Sequence, residues 1–233
     1  MGNALPYTPQ QIVFLRRSLL AWGKRHFRSF PWRLTTDPYR ILIAEIFLHR
    51  TQAKQVVPIY RDFIARYPDV HALAQAGREE LHAALYSLGL RWRVDLLYEM
   101  TQAIRSRHAG EIPREREALL ALPGVSQYVA GAVRCFAWNE PEVLMDTNTV
   151  RVTGRLLGWE VKDSSRRSKR FRRALEALFD PQEPRTFNYA LLDLAHLVCL
   201  KKQLPECEWC PLAEWCTYKI SVIAEKDQRS RGK

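Results

Sequence analysis

Residues 112–138 read IPREREALLALPGVSQYVAGAVRCFAW, two helical patterns joined by Leu122-Pro123-Gly124-Val125. Proline ends the first helix, glycine permits the tight turn, and Ser126 is placed to cap the second. A turn that feeds straight into a helix N-terminus points several backbone N–H groups one way, which suits a phosphate oxygen. Such a contact anchors a nucleic-acid backbone and reads no sequence. Short Pro-Gly turns between helices are also common as plain packing elements, so the rest of the chain has to decide between the two.

Outward from the hairpin the apolar periodicity stays helical. Thr8-Pro9 looks like an N-cap and first-turn proline opening a helix to about His26, and Asp37-Pro38 repeats the signal for a helix to about Arg50. Further helical stretches are expected near 52–66, 70–86, 92–108, 114–122, 127–138, 148–158, 166–179 and 187–199. No segment of length alternates with period two, so the expected fold is all-α. Asn139-Glu140-Pro141 is a plausible hinge. The expected organisation is a central helical bundle over 30–138 with its hairpin at 110–134, a second lobe from 1–29 plus 139–222, and a disordered tail over 223–233.

The 233 residues are 47% hydrophobic with seven Trp and nine each of Phe and Tyr, enough for a packed core. The apolar run from Ile41 to Leu48 is far too short to span a membrane, and the N-terminus MGNALPYTPQQ has no secretory pattern. A reducing compartment is expected, cytoplasmic in a prokaryote or nuclear in a eukaryote. The net charge of +11 and a pI near 9.7 call for a polyanionic partner. The densest basic patch is Arg166, Arg167, Lys169, Arg170, Arg172 and Arg173, which either touches DNA flanks or simply keeps a helix face solvated. A monomer is expected, since no apolar surface stripe stands out.

Four of the five cysteines fall in CLKKQLPECEWCPLAEWC: Cys199, Cys207, Cys210 and Cys216, with gaps of seven, two and five residues. Thiolates grouped so tightly in a chain without a signal peptide are read as metal ligands, and spacing alone leaves zinc and an iron–sulfur cluster both open. Cys135, in the second hairpin helix, is expected in the core.

Two carboxylates stand in unusual settings. Glu45 sits inside Ile41-Leu42-Ile43-Ala44-Glu45-Ile46-Phe47-Leu48. A helix apolar all round is buried, and desolvation there raises a carboxyl pKa and makes a proton donor; a cap or an arginine partner is the plainer alternative. Asp146 follows Val143-Leu144-Met145 and opens the next helix, where the dipole favours the ionised form; an ordinary N-cap would look the same. A raised Glu and a depressed Asp form the split pair that glycoside cleavage uses.

The hairpin LPGVSQYVAGAV, MDTNTVRV after it, the cysteine cluster, and FPWRLTTDPYRILIAEIFLHRTQA upstream together resemble the helix-hairpin-helix (HhH-GPD) iron–sulfur DNA glycosylases over roughly residues 30–216. That superfamily includes endonuclease III, the MutY adenine glycosylases and the Mig-type thymine/uracil mismatch glycosylases. The resemblance implies two helical lobes with a DNA cleft between them, double-stranded DNA holding a mismatched or damaged base as partner, and a 4Fe–4S cluster on the four cysteines. The cluster would be structural and DNA-positioning, since the chemistry needs no electron transfer. The first cysteine gap departs from the family, seven residues against the usual six. Asp146 matches the family's essential carboxylate, Glu45 the MutY-type acid, and Asn148 an asparagine beside the aspartate. The hairpin residues Leu122, Gly124, Val125 and Ser126 match the DNA-backbone turn.

Bifunctional members carry a lysine where this chain has Tyr128, and no lysine lies between Gly110 and Arg134. Tyrosine cannot form a Schiff base, so the expected enzyme is monofunctional and leaves an abasic site. Arg50 in LHRTQ and Leu90 in SLGLRW occupy the places where the family inserts residues into the hole left by a flipped base, and both look more like the Mig group than MutY. Arginine also suits the acceptors of an unpaired guanine. The chain stops about seventeen residues after Cys216, which leaves no room for the extra domain of MutY proteins. Thymine or uracil opposite guanine is therefore the expected target, with adenine opposite 8-oxoguanine or guanine as runner-up. The rival of another class is a non-enzymatic iron–sulfur DNA-binding protein. Asp193 and His196, on the helix entering the cysteine cluster, are read as structural.

Overall fold

A computed structural model describes residues 5–89 and 91–221, and every regular element among them is helical. Leu90 and the tail at 223–233 lie outside the described residues. The α-helices are α1 (Pro9–Arg25), α2 (Pro38–Leu48), α3 (Ala53–Arg66), α4 (Val70–Gln75), α5 (Arg78–Ala84), α6 (Arg91–Arg107), α7 (Arg116–Leu120), α8 (Gln127–Trp138), α9 (Thr147–Leu157), α10 (Lys169–Leu178) and α11 (Pro184–Leu197). The chain divides into two compact units, Ser29–Glu142 and Met1–Arg28 with Val143–Lys233.

In the unit Ser29–Glu142, α2 is the central helix. Pro38 supplies the fixed φ of a first turn, and the Asp37 carboxylate accepts from the amides of Tyr39 (2.9 Å) and Arg40 (3.4 Å). Every residue from Ile41 to Phe47 is buried, because α3 and α8 pack on it. α8 starts at Ser126, whose hydroxyl accepts from the Val129 amide at 3.2 Å, and stops at Asn139 in the left-handed region (φ 58°). Arg116 and Arg134 both reach Glu142, at 2.6 and 2.7 Å, and pin the chain as it leaves the unit.

Three stretches are more broken than the periodicity suggests. The span 70–86 is α4, α5 and a 3-10 turn at Tyr86–Leu88, because Gly77 is extended and starts a new helix. The span 114–122 keeps helix only over Arg116–Leu120, trimmed by Pro113 and Pro123. The span 166–179 opens as a 3-10 turn at Asp163–Arg167, and α10 begins only at Lys169. No acidic residue occupies the first turn of α10, so its cations oppose the helix dipole.

In the other unit, α1, α9, α10 and α11 enclose Leu15, Leu19, Val152, Leu156, Leu175 and Leu194. Thr8 and Gln11 form a reciprocal capping box that starts α1. Gly23 lets α1 close onto α11: a Cβ there would meet the Ala190 Cβ at 2.3 Å. Asp193, fully buried, accepts from Arg28 Nε at 2.6 Å and from the Arg28 amide at 3.2 Å, a structural role that ties the end of α1 to α11.

Candidate active site and cysteine loop

Asp146 is the N-cap of α9 and is half-buried. Its Oδ1 accepts from the amides of Asn148 (2.8 Å) and Thr149 (2.7 Å), and its Oδ2 accepts from Asn148 Nδ2 at 2.7 Å. The Asp146 amide in turn donates to Thr149 Oγ1 at 2.9 Å. Three donors at the start of a helix hold one carboxylate in a single orientation. Asn148 is thus brought against Asp146, and its Oδ1 accepts from Arg151 Nη1 at 3.1 Å. These partners fix the orientation of the amide.

Sequence reasoning missed Arg151 and Arg155. Arg151 Nε donates to the Cys199 carbonyl (3.1 Å) and Nη2 to the Ala195 carbonyl (2.9 Å), so one guanidinium joins the Asp146–Asn148 pair to the end of α11. Arg155 Nη1 donates to Cys199 Sγ at 3.2 Å and to the Leu200 carbonyl at 2.7 Å. The signal was present: 148, 151 and 155 are spaced three and four apart and share one helix face. His196 lies nearby, its Nδ1 2.9 Å from the Leu192 carbonyl. A carbonyl only accepts, which places the proton on Nδ1. The residue as a whole is exposed, yet desolvation of its ring, with the Arg28 and Arg151 charges added, pushes its pKa below the ordinary value.

The four thiols of the loop are electrostatic neighbours. Burial pushes Cys210 up to about 12, with the charges of Cys216, Cys199 and Cys207 adding to the shift. Cys207 and Cys216 are raised for the same first reason. Thiols in this setting become thiolates only when a cation compensates them. Among the described residues no group of three or more His, Cys, Asp or Glu side chains is spaced to hold one metal ion. Trp215 Nε1, buried and one residue from Cys216, has no acceptor among the described residues, and Arg155 already donates to a cysteine sulfur. Such donors beside the cysteines fit a group whose sulfurs accept hydrogen bonds.

In the other unit, Glu45 is 8% exposed on α2. Tyr128 is half-buried in the first turn of α8. The hairpin turn carries Gly124 at φ 77°, where a side chain would be strained, between buried Leu122 and Val125 and the capping Ser126. Arg50 is exposed just beyond α2 and adopts φ 61°. Cys135 is fully buried, as expected of a core thiol.

The profile of the HhH-GPD superfamily of base excision DNA repair proteins matches residues 43–180. The chain belongs to this superfamily. Among its HhH-GPD relatives, a thymine-DNA glycosylase of Aeropyrum pernix is 38% identical over 215 residues, spanning 89% of this chain and 95% of the relative. An adenine DNA glycosylase of Mycobacterium tuberculosis is 34% identical, and the match covers 90% of this chain and 69% of that protein. A solved structure of a thermostable thymine-DNA glycosylase superposes with a TM-score of 0.84 at 32% identity, covering 91% of this chain and 98% of the other. The all-helical HhH-GPD fold read from the sequence is the fold of the molecule.

Proposed function

We propose that this protein is a monofunctional DNA glycosylase that hydrolyses the N-glycosidic bond of thymine or uracil opposite guanine. The observation that carries the proposal is the Asp146 carboxylate, oriented by two amides and by Asn148 Nδ2 at the start of α9. As the glycosidic bond lengthens, positive charge develops on the deoxyribose, and a fixed carboxylate that needs no reorganisation stabilises it. Glu45, in its apolar helix, is the proton donor to the departing base. Tyr128 supplies no amine, so water takes the sugar carbon and the strand stays intact. The hairpin turn at Leu122, Gly124, Val125 and Ser126 holds a phosphate through backbone amides, and Arg50 contacts the guanine left unpaired. Double-stranded DNA as partner accords with the net charge of +11.

Cys199, Cys207, Cys210 and Cys216 would hold a 4Fe–4S cluster. Bound there, it cross-links the loop and supplies structural rigidity, with no part in bond cleavage. Arg155, which donates to Cys199 Sγ, and Trp215, with its buried N–H, would supply hydrogen bonds to its sulfurs.

The test is single-turnover base release from duplexes carrying T:G, U:G, A:G and A:8-oxoguanine, with and without alkali, for the native chain, Asp146→Asn and Glu45→Gln. Alkali-dependent breaks at T:G and U:G, lowered about a thousandfold in Asp146→Asn, support the proposal. Release of adenine alone would move the protein to the adenine glycosylases. Binding without release from any duplex would favour a non-enzymatic role.

A further inference from the structure

Arg93 stands in the first turn of α6 and is 4% exposed, yet its guanidinium serves the far end of α2. Nη1 donates to the Phe47 carbonyl at 2.8 Å, and Nη2 donates to the His49 carbonyl at 2.7 Å and to Thr51 Oγ1 at 3.3 Å. A helix leaves its last carbonyls without donors, and small capping residues normally deal with them. Here a buried cation does so, an expensive choice for stability alone.

What the cation holds is the turn that carries Arg50. Arg50 has φ 61°, a conformation that costs a side-chain-bearing residue about 1 kcal/mol or more and persists only where its neighbours over-determine it. The Arg93 fork grips the chain on both sides of Arg50, by the carbonyl before it and the hydroxyl after it. The Thr51 amide closes the turn onto the Leu48 carbonyl at 3.2 Å. The same fork ties this turn to the start of α6, next to Gly89 at φ 65°. There Trp92, 46% exposed, packs edge-on against the His49 ring with centroids 5.6 Å apart.

We infer that Arg93 is a positioning residue for recognition of the opposite base: it fixes the direction of the Arg50 side chain and locks the 49–51 turn to the start of α6 as one rigid edge. The inference rests on the proposed contact between Arg50 and the unpaired guanine. Loss of the fork frees Arg50 into other rotamers and backbone states, so discrimination falls while the chemistry at Asp146 is left alone.

The experiment compares single-turnover release of uracil opposite guanine and opposite adenine, in the native chain, Arg50→Ala, Arg93→Lys and the double variant, with thermal melting of each. Arg93→Lys keeps the charge and removes the two-pronged geometry. It is expected to lower the guanine-to-adenine rate ratio by about tenfold, the worth of one misplaced charged hydrogen bond. In the Arg50→Ala background the same change should alter the ratio less than about twofold, because the two residues act through one contact. A ratio that collapses in Arg50→Ala but holds in Arg93→Lys would overturn the inference and leave the Arg50 contact standing. A ratio untouched by Arg50→Ala removes that contact and the inference with it. Should Arg93→Lys melt more than about 10 °C below the native chain, Thr51→Val takes its place; it exchanges for a methyl the hydroxyl by which the fork holds the chain after Arg50, and an unchanged ratio there overturns the inference.

Discussion

A single carboxylate illustrates how far residue chemistry reaches by itself. That Asp146 begins a helix follows from the apolar run before it and the TNTV pattern after it, and its Oδ1 takes the two amides that an N-cap serves. The partner on Oδ2 is the informative part, because an ordinary cap does not need it. Asn148→Ala keeps the backbone amides and removes the 2.7 Å bond from Nδ2. Single-turnover base release should then fall by about tenfold, with the melting temperature nearly unchanged; a native rate in that variant would mean the bond is idle. The buried position of Glu45 and the capping position of Asp146 were legible because the apolar run around the one and the helix start after the other are local patterns. Arg93 was not, since a lone arginine at a helix start looks like a surface charge until its acceptors, more than forty residues away in sequence, are known.

Among the elements, the long helices follow the sequence closely and the short ones do not. α1, α2 and α8 have both a capping residue and a sustained apolar face, two signals that agree. α4, α5 and α7 are too short for either to dominate, and glycine and proline cut them where periodicity alone would run on. The contact of α1 with α11 shows what periodicity leaves out. Gly23 is an unremarkable residue in a helical pattern, yet the two helices approach so closely there that a methyl group would overlap Ala190. Gly23→Ala should cost about 1–3 kcal/mol of stability despite alanine's better helix propensity. A urea midpoint equal to or above the native one would show that the helices can part without loss.

At the scale of the molecule, electrostatics dominates what can be measured. Glu140 is held below its ordinary value of 4.5 first by its hydrogen bond from Arg114 and then by the Arg114 and Arg134 charges. Glu80 is depressed first by the Tyr67 hydroxyl, and Asp95 first by His82. For each, the folded chain binds the proton more weakly than the unfolded one. Their stabilisation is complete above the ordinary carboxylate value and disappears as the pH falls through the depressed folded value. Urea midpoints should accordingly drop below pH 4.5, and Glu140→Gln should flatten the drop slightly, as a solvent-exposed pair allows. An identical slope in that variant would assign the acid sensitivity elsewhere. The cysteine loop gives the complementary prediction. Cys210→Ala should lower bound iron and sulfide per chain and reduce the melting temperature, whereas a bound single zinc ion with no sulfide would contradict the proposed cluster.

The sequence by itself determined the helical class, the hairpin turn and the capping position of Asp146, because each rests on neighbours within one or two helical turns, and the four cysteines are grouped in the chain itself. Tertiary structure alone decided the partnerships of Arg93 with the end of α2, of Arg151 with the end of α11, and of Arg28 with Asp193. In each a cation satisfies acceptors that the chain brings close only by folding. Charge and periodicity say that an arginine exists and which face it occupies; which carbonyl or carboxylate it meets depends on how helices distant in sequence pack.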